Sequence, residues 1–151
     1  MNVRRVGPAD WETWRDLRLS ALATDPTSFG SNLAREKAYD EARWRDMMAS
    51  GVRVIAEAPE PAGLVGGTPH RELPDALELW TMWVRPSRRG QGIGEALVGE
   101  VLAWAAEHEW PRVRLQVYEH NGRARRLYQR LGFTEVPGAP EHLEYRVRPR
   151  R

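Results

Sequence analysis

The chain has 151 residues, 41% of them hydrophobic, with seven tryptophans, no cysteine and a formal net charge of +2. That length supports one domain, residues 1–151, around one core, and that apolar content describes a packed globule rather than a disordered chain. The lack of cysteine excludes disulfides, thiolate metal sites and cysteine nucleophiles; no stretch approaches the ~18 apolar residues of a membrane span, and Met1 to Arg5 lacks the apolar centre of a signal peptide.

Val3 to Val6 reads as a short strand. Pro8-Ala9-Asp10 starts a helix with Asp10 as its N-cap, and Trp14, Leu17 and Ala21 share one face of it. Asp25-Pro26 ends that helix. Asp40 caps another, whose apolar stripe is Trp44, Met47 and Met48 and whose stop is Gly51. Val52 to Ala58 is a strand, and Pro59-Glu60-Pro61 is a turn, because proline cannot donate to a sheet ladder. Ala62 to Gly67 is the returning strand of a hairpin, and Thr68 to Asp75 is a loop. Leu77 to Val84 is the most apolar strand. Its alternation assigns Leu77, Leu79, Thr81 and Trp83 to one face, and Glu78, Trp80, Met82 and Val84 to the other.

The run Arg89-Gly90-Gln91-Gly92-Ile93-Gly94 joins this strand to a helix over Glu95 to Glu107. Ile93, Leu97, Val98, Val101, Leu102 and Ala105 recur there at helical spacing. Glycines let a backbone approach a ligand closely, and the free N–H groups of a helix start attract an anion. The run therefore reads as a seat for a phosphate-bearing molecule. It fails the dinucleotide fingerprint, because the sixth position is Glu95 counted from Gly90 and Leu97 counted from Gly92. It also lacks the Gly-Lys-Ser/Thr of a P-loop. Val113, Leu115 and Val117 then alternate with Arg112, Arg114 and Gln116 as a half-buried strand. Ala124, Leu127 and Leu131 mark a short helix ended by Gly132, and Leu143, Tyr145 and Val147 mark a last strand. The order is β-α-α-β-β-β-α-β-α-β, a mixed α/β domain with antiparallel early strands.

Basic residues are almost all arginine, with Lys37 the one lysine. They cluster at Arg85, Arg88 and Arg89, at Arg123, Arg125 and Arg126, and in the tail at Arg146, Arg148, Arg150 and Arg151. The first two clusters read equally as solvated surface or as anion sites, and the tail reads as surface. No helix-turn-helix, zinc or RNA-reading motif accompanies them, which argues against a nucleic-acid partner.

The pattern Val84-x-Pro86-x-x-Arg89-Gly90-x-Gly92-x-Gly94 is followed by Asn121-x-x-Ala124-x-x-Leu127-Tyr128-x-x-x-Gly132-Phe133. Together these resemble the GNAT family of N-acetyltransferases, which transfers acetyl from acetyl-coenzyme A to an amine. The resemblance is best over Leu77 to Phe133, with Asp25-Pro26-x-x-Phe29-Gly30 also similar to many members. It implies a mixed, mainly antiparallel sheet of six or seven strands flanked by about four helices. A splayed strand pair, ending at Val84 and Val117, would form the acetyl-CoA cleft. It further implies direct transfer in a ternary complex, a small-molecule or peptide amine as acceptor and no metal, while the lack of a long apolar stretch argues against a membrane partner and the lack of cysteine suits a cytoplasmic setting. A homodimer stays open.

By the same resemblance, the coenzyme A diphosphate sits on backbone N–H groups of Arg89, Gly90, Gln91, Gly92, Ile93, Gly94 and Glu95. Gly92 and Gly94 supply the clearance. The pantetheine arm pairs like an added strand with Met82, Trp83 and Val84. An N–H near Met82 polarises the thioester carbonyl. Asn121 caps the short helix, contacts the arm, or does both. Arg123, Arg125 or Arg126 reaches the 3′-phosphate. Tyr128 matches the family's acid, which protonates the departing thiolate, although by spacing alone it reads as a helix-face aromatic beside Leu127 and Leu131. The general base is less clear. Gln116 stands where some members carry a glutamate, and an amide cannot accept the proton. Glu78 is the first substitute, Glu119 and His120 are alternatives, and a water relay needs no single base. Because of Gln116, a coenzyme A-binding sensor without turnover is the rival reading. Phe29, Tyr39, Trp44, Trp80 and Trp83 are candidates for the acceptor wall, of which most read as core and one or two are expected at the pocket.

Overall fold

The computed structural model describes residues 1–148, so Arg150 and Arg151 of the basic tail lie outside it. The apolar, β-rich segments form β1 (Asn2–Val6), β2 (Val52–Glu57), β3 (Pro61–Pro69), β4 (Ala76–Val84), β5 (Arg112–Gln116), β6 (Thr134–Val136) and β7 (Ala139–Arg146). The segments of helical period form α1 (Trp11–Thr24), α3 (Glu41–Met47), α4 (Ile93–Glu107) and α5 (Gly122–Arg130), with a single turn, α2 (Leu33–Lys37), between α1 and α3. All seven strands make one sheet in the order β1-β2-β3-β4-β5-β7-β6. Neighbours are antiparallel except β4 and β5. Among the described residues, no helix is long and apolar enough to cross a membrane.

The sheet buries both faces. Val54, Leu77 and Leu79 pack with Leu97, Val98 and Val101 of α4 and with Leu127 of α5. Ile55, Leu64 and Trp83 pack on the opposite side with Trp14 and Leu17 of α1 and Trp44 of α3. Each fully buried large side chain contributes roughly 1.5–3 kcal/mol. Arg53 is buried on the second side, over the rings of Trp14 and Trp80. It donates to the carbonyls of Met47, Ser50 and Val52, which closes the end of α3. Burial pulls its guanidinium down to about 10.

Several start and stop signals act as expected. Asp40 Oδ1 accepts from Arg43 N–H at 2.8 Å, and Gly51 and Gly132 follow their helices at φ +70° and +106°. Asp10 does not. It makes no side-chain cap bond to α1 and turns back to Gly7 N–H and Arg4 Nη1, each at 3.3 Å. Two elements were not expected from the sequence. The turn α2 has five residues, too few to show an apolar period, but Asn32 caps it through Arg35 N–H at 2.8 Å. β6 has three mostly exposed residues and no alternation.

The face assignment of β4 needs correction. Leu64 pairs with Trp83 and Gly66 with Trp80, so β4 carries one residue more than β3 between those pairs. Thr81 takes φ +59° there. A bulge of this kind reverses the alternation downstream. Met82 and Val84 therefore join the α4 side with Leu77 and Leu79, while Trp83 joins Trp80 on the α1 side. Glu78 shares a face with Trp80 and not with Met82.

β4 and β5 pair only at Ala76 with Arg112, Leu77 with Val113 and Glu78 with Arg114. β5 stays with β7 as far as Val117, whose N–H reaches the Glu141 carbonyl at 2.8 Å. Leu79 to Val84 consequently has no strand on that edge. This is the expected splay, and it opens toward the glycine run.

Candidate active site

The splay opens a cleft of about 1350 Å³. That exceeds the ~300–1,000 Å³ usual for small-molecule sites and suits an elongated ligand. Its walls are β4 from Glu78 to Val84, the end of β5 from Leu115 to Tyr118, the loop 88–95, α5, and the segment 25–31.

The glycine run forms one end of the cleft. Gly90 and Gly92 both take φ +81°, and a Cβ on either would meet nothing within 4 Å. Glycine is needed at both for backbone conformation. Gly94 is different, because a Cβ there would lie 3.0 Å from Leu127 Cδ1. It lets α4 approach α5, and it also lines the cleft. The first helical bond runs from Ala96 N–H to the Gly92 carbonyl. The N–H groups of Ile93, Gly94 and Glu95 precede it and have no partner within the helix; all three residues line the cleft, and the Glu95 N–H bonds its own carboxylate. Gln91 is exposed and does not line the cleft. Glu95 accepts from Arg130 at 2.6 Å, and that bond holds its carboxyl below the usual range against a smaller effect of burial.

Arg89 is engaged with the protein itself. Its Nε donates to the Val84 carbonyl and its Nη2 to Asp25 Oδ2, both at 2.9 Å. Arg125 is buried and donates to the Pro140 carbonyl and to Glu135, which ties α5 to the β6–β7 pair. It drops out of the set expected to reach a phosphate. Arg123 and Arg126 are exposed and line the cleft, as does Arg88.

The middle of the cleft is the bulge. Thr81 and Met82 have no register partner on β3 and none on β5. A β-branched residue at φ +59° costs about 1–3 kcal/mol. Arg18 supports it, donating from Nη1 to Thr81 Oγ1 at 2.6 Å. Arg18 is itself held by Glu36, with Nε and Nη2 each 2.8 Å from a carboxylate oxygen, and it covers the Phe29 ring at 5.1 Å. No sequence pattern marked Arg18 or Glu36, since their partners lie 63 and 18 residues away.

Tyr128 lies on α5 facing the cleft, 6% exposed, with its ring edge-on to Phe133 at 5.5 Å. Burial pushes its phenol well above the ordinary value. Asn121 Oδ1 caps α5 through Ala124 N–H at 3.3 Å while the residue also lines the cleft. Glu78 stands at the base of the splay with a half-exposed side chain, and its Oε2 is 3.9 Å from His70 Nε2. Gln116 is exposed at the end of β5 and lines the cleft. Glu119 and His120 are exposed and fall outside the lining, so the structure does not bring these two candidate bases to the cleft. Phe29, Trp80 and Trp83 line it. Tyr39 packs edge-on against the buried Trp44 instead, and neither reaches the cleft.

A family model described as the acetyltransferase (GNAT) family matches residues 11–133. N-alpha-acetyltransferase 40 of Saccharomyces cerevisiae is 34% identical over 100 residues, which are 61% of this chain and 35% of that protein. Mycothiol acetyltransferase of Salinispora tropica is 33% identical over 146 residues, 92% of this chain and 45% of that protein. The chain thus spans less than half the length of either relative. An acetyltransferase of the GNAT family from Streptococcus pneumoniae superposes with a TM-score of 0.78 at 18% identity, over 97% of this chain and 99% of that one. The yncA structure from Salmonella typhimurium, solved with its cofactor acetyl-CoA, has a TM-score of 0.77 at 15% identity, over 100% of this chain and 96% of that one. At such identities these two structures speak for the fold alone. The family match itself runs from the first turn of α1 to the Phe133 that packs on Tyr128, so the chain belongs to the acetyltransferase (GNAT) family.

Proposed function

We propose that this chain is an acetyl-CoA-dependent N-acetyltransferase that moves acetyl to a primary amine by direct transfer in a ternary complex. The observation that carries the reading is the cleft, in which an unpaired β4 edge leads to the helix start at Ile93 and Gly94, whose N–H groups have no partner within the helix. An extended arm ending in a diphosphate matches that sequence of donors. Acetyl-CoA in the Salmonella typhimurium structure and coenzyme A in an N-acetyltransferase structure from Thermoplasma acidophilum support the choice of donor. Relatives named for mycothiol, for an amino acid and for L-2,4-diaminobutyric acid support a small acceptor.

The bound thioester supplies the acyl group, and the chain's own residues do the rest. The diphosphate rests on the backbone of residues 89–95, with Arg88, Arg123 and Arg126 near enough to add positive charge. The arm runs along Met82, Trp83 and Val84. The N–H of Met82, at the bulge, faces the charge that develops on the carbonyl oxygen. Asn121 keeps its side chain for the α5 cap, and its own N–H and carbonyl are bonded to Tyr118 and Arg125, so it bounds the arm by packing alone.

The acceptor must attack as a neutral amine. At a pKa of ~10.4 about one molecule in 2,500 is neutral at pH 7, so removal of that proton matters. Glu78 takes it. Its position at the base of the splay, on the same face as Trp80 and Trp83, turns it to the side walled by Phe29. Tyr128 gives a proton to the departing thiolate. Its burial keeps the phenol protonated through the working range, so the proton is always present to give.

Release of free thiol from acetyl-CoA, followed over a panel of amino acids, polyamines and short peptides, tests this reading. Turnover with at least one amine is expected, slowed in Tyr128→Phe. Micromolar binding of acetyl-CoA with no turnover on any amine would establish the sensor reading, which Gln116 favours. No binding of coenzyme A would overturn both.

A further inference from the structure

His70 lies on the loop between β3 and β4 and belongs to no motif. Its Nδ1 accepts two backbone N–H groups, from Glu72 at 3.1 Å and from Leu73 at 3.2 Å. A neutral imidazole has one donor nitrogen and one acceptor nitrogen. With Nδ1 occupied as acceptor, the ring proton sits on Nε2. That nitrogen faces Glu78 Oε2 at 3.9 Å, and the His70 side chain is only 18% exposed. No side chain among the described residues bonds to Glu78 Oε1.

Except for Arg71, the surrounding charges are already committed. Arg114, opposite Glu78 on β5, donates to Glu144 at 2.8 Å. Asp75 on the same loop accepts from Arg112 at 2.6 Å. Arg18 on the α1 side is held by Glu36. Arg71, adjacent to His70, is exposed and lines the cleft with Glu78. Among the described residues, His70 is therefore the one basic side chain within 4.0 Å of this carboxylate.

We propose that His70 is the positioning residue for Glu78, its Nε2–H holding Oε2 so that Oε1 faces the acceptor amine. The inference rests on the reading of Glu78 as general base. At 3.9 Å the contact is electrostatic, and it closes to hydrogen-bond length by a small rotation of the half-exposed glutamate. His70 gives up no proton in this role. The amine's proton goes to Glu78, and the ring fixes which oxygen receives it.

Two substitutions separate positioning from loop support. In His70→Asn the amide oxygen replaces Nδ1 and keeps the loop bonds, but nothing replaces Nε2–H. In His70→Gln the amide N–H replaces Nε2–H, and the loop bonds are lost. With the amine of the panel that turns over fastest, we expect His70→Asn to lower kcat about 5- to 20-fold with KM for acetyl-CoA unchanged, and His70→Gln to stay within about threefold of wild type, as loss of one oriented group implies. The reverse order would mean that His70 only supports the loop, and would overturn the proposal. Glu78→Gln is run beside them. If it is slow while His70→Asn matches wild type, the proposal falls and the base reading stands; if it matches wild type, the base reading falls and takes the proposal with it. A second measurement needs no acceptor: two-bond proton–nitrogen spectra of the labelled protein should show His70 as the Nε2–H tautomer. The Nδ1–H tautomer would overturn the proposal.

Discussion

Asp25 Oδ2 lies 2.9 Å from Arg89 Nη2, so the segment after α1 is fastened to the first residue of the glycine run. The same oxygen accepts from Trp83 Nε1 at 2.7 Å. One carboxylate thus joins the two walls of the cleft across β4. Both partners of the ion pair are about a third exposed, which holds its worth to about 1 kcal/mol or less. Asp25→Asn should consequently cost little stability. It should instead loosen the loop 88–95 and raise KM for acetyl-CoA about three- to tenfold. Steady-state kinetics with a thermal melt distinguishes this from general destabilisation.

Gly92 and Gly94 should respond differently to substitution. Gly92→Ala places a side chain at φ +81° in open space, at a conformational cost of about 1–2 kcal/mol. The loop would relax away from its shape, and acetyl-CoA affinity by calorimetry should fall about tenfold. Gly94→Val meets Leu127 Cδ1, since even a Cβ would lie 3.0 Å from it. It should lower the melting temperature by several degrees by parting α4 from α5, as overpacking costs about 1–3 kcal/mol.

Glu36→Gln should be the most damaging of these changes. The Glu36 side chain is 4% exposed and that of Arg18 10%. Removing one charge strands the other, at about 3–5 kcal/mol. Arg18 would also lose the partner that aims it at Thr81, so kcat should fall along with stability. The pH dependence follows from the carboxyl. Burial pushes it up, but the hydrogen bonds and charge of Arg18 outweigh burial and hold it below the usual range. A depressed carboxyl contributes stability that is present above its unfolded pKa of ~4.3 and is lost as pH falls through the folded value. The wild type should therefore lose stability in acid more steeply than Glu36→Gln, which a pair of denaturation series checks.

Tyr128→Phe should lower kcat about 10²-fold, with KM for acetyl-CoA nearly unchanged. Its effect on stability has the opposite pH window. A phenol raised by burial contributes stability that is fully present below its unfolded pKa of ~10 and is lost as pH climbs toward the folded value. The phenylalanine variant has no such group. It should resist alkaline unfolding better than wild type above about pH 10, as a far-ultraviolet titration would show.

Much of the fold was legible because it is written in local periods. The α4 stripe of Leu97, Val98 and Val101 and the β5 alternation of Val113 and Leu115 survive into the core as read. Asp40, Gly51 and Gly132 act within a few residues of their own positions, which a linear reading can follow. Asp10 was misread because a tertiary partner, Arg4, competed for its carboxylate. Which of the five aromatic candidates reach the acceptor wall is not legible from residue type, and only packing shows that Tyr39 and Trp44 pair with each other.

The sequence by itself determined the family and marked the glycine run as the proposed seat of the donor, because a glycine run opening a helix and a downstream Asn121-to-Phe133 pattern need only neighbours in the chain. The tertiary structure decided which side chains are free to act. Arg89 and Arg125 turned out to be spent on Asp25 and Glu135, Arg18 and Glu36 emerged under Thr81, and His70 came to face Glu78. The physical reason is the bulge at Thr81 and the partnering of charges. One extra residue reverses every side chain after it, and a charge takes its nearest opposite in space, whatever its distance along the chain.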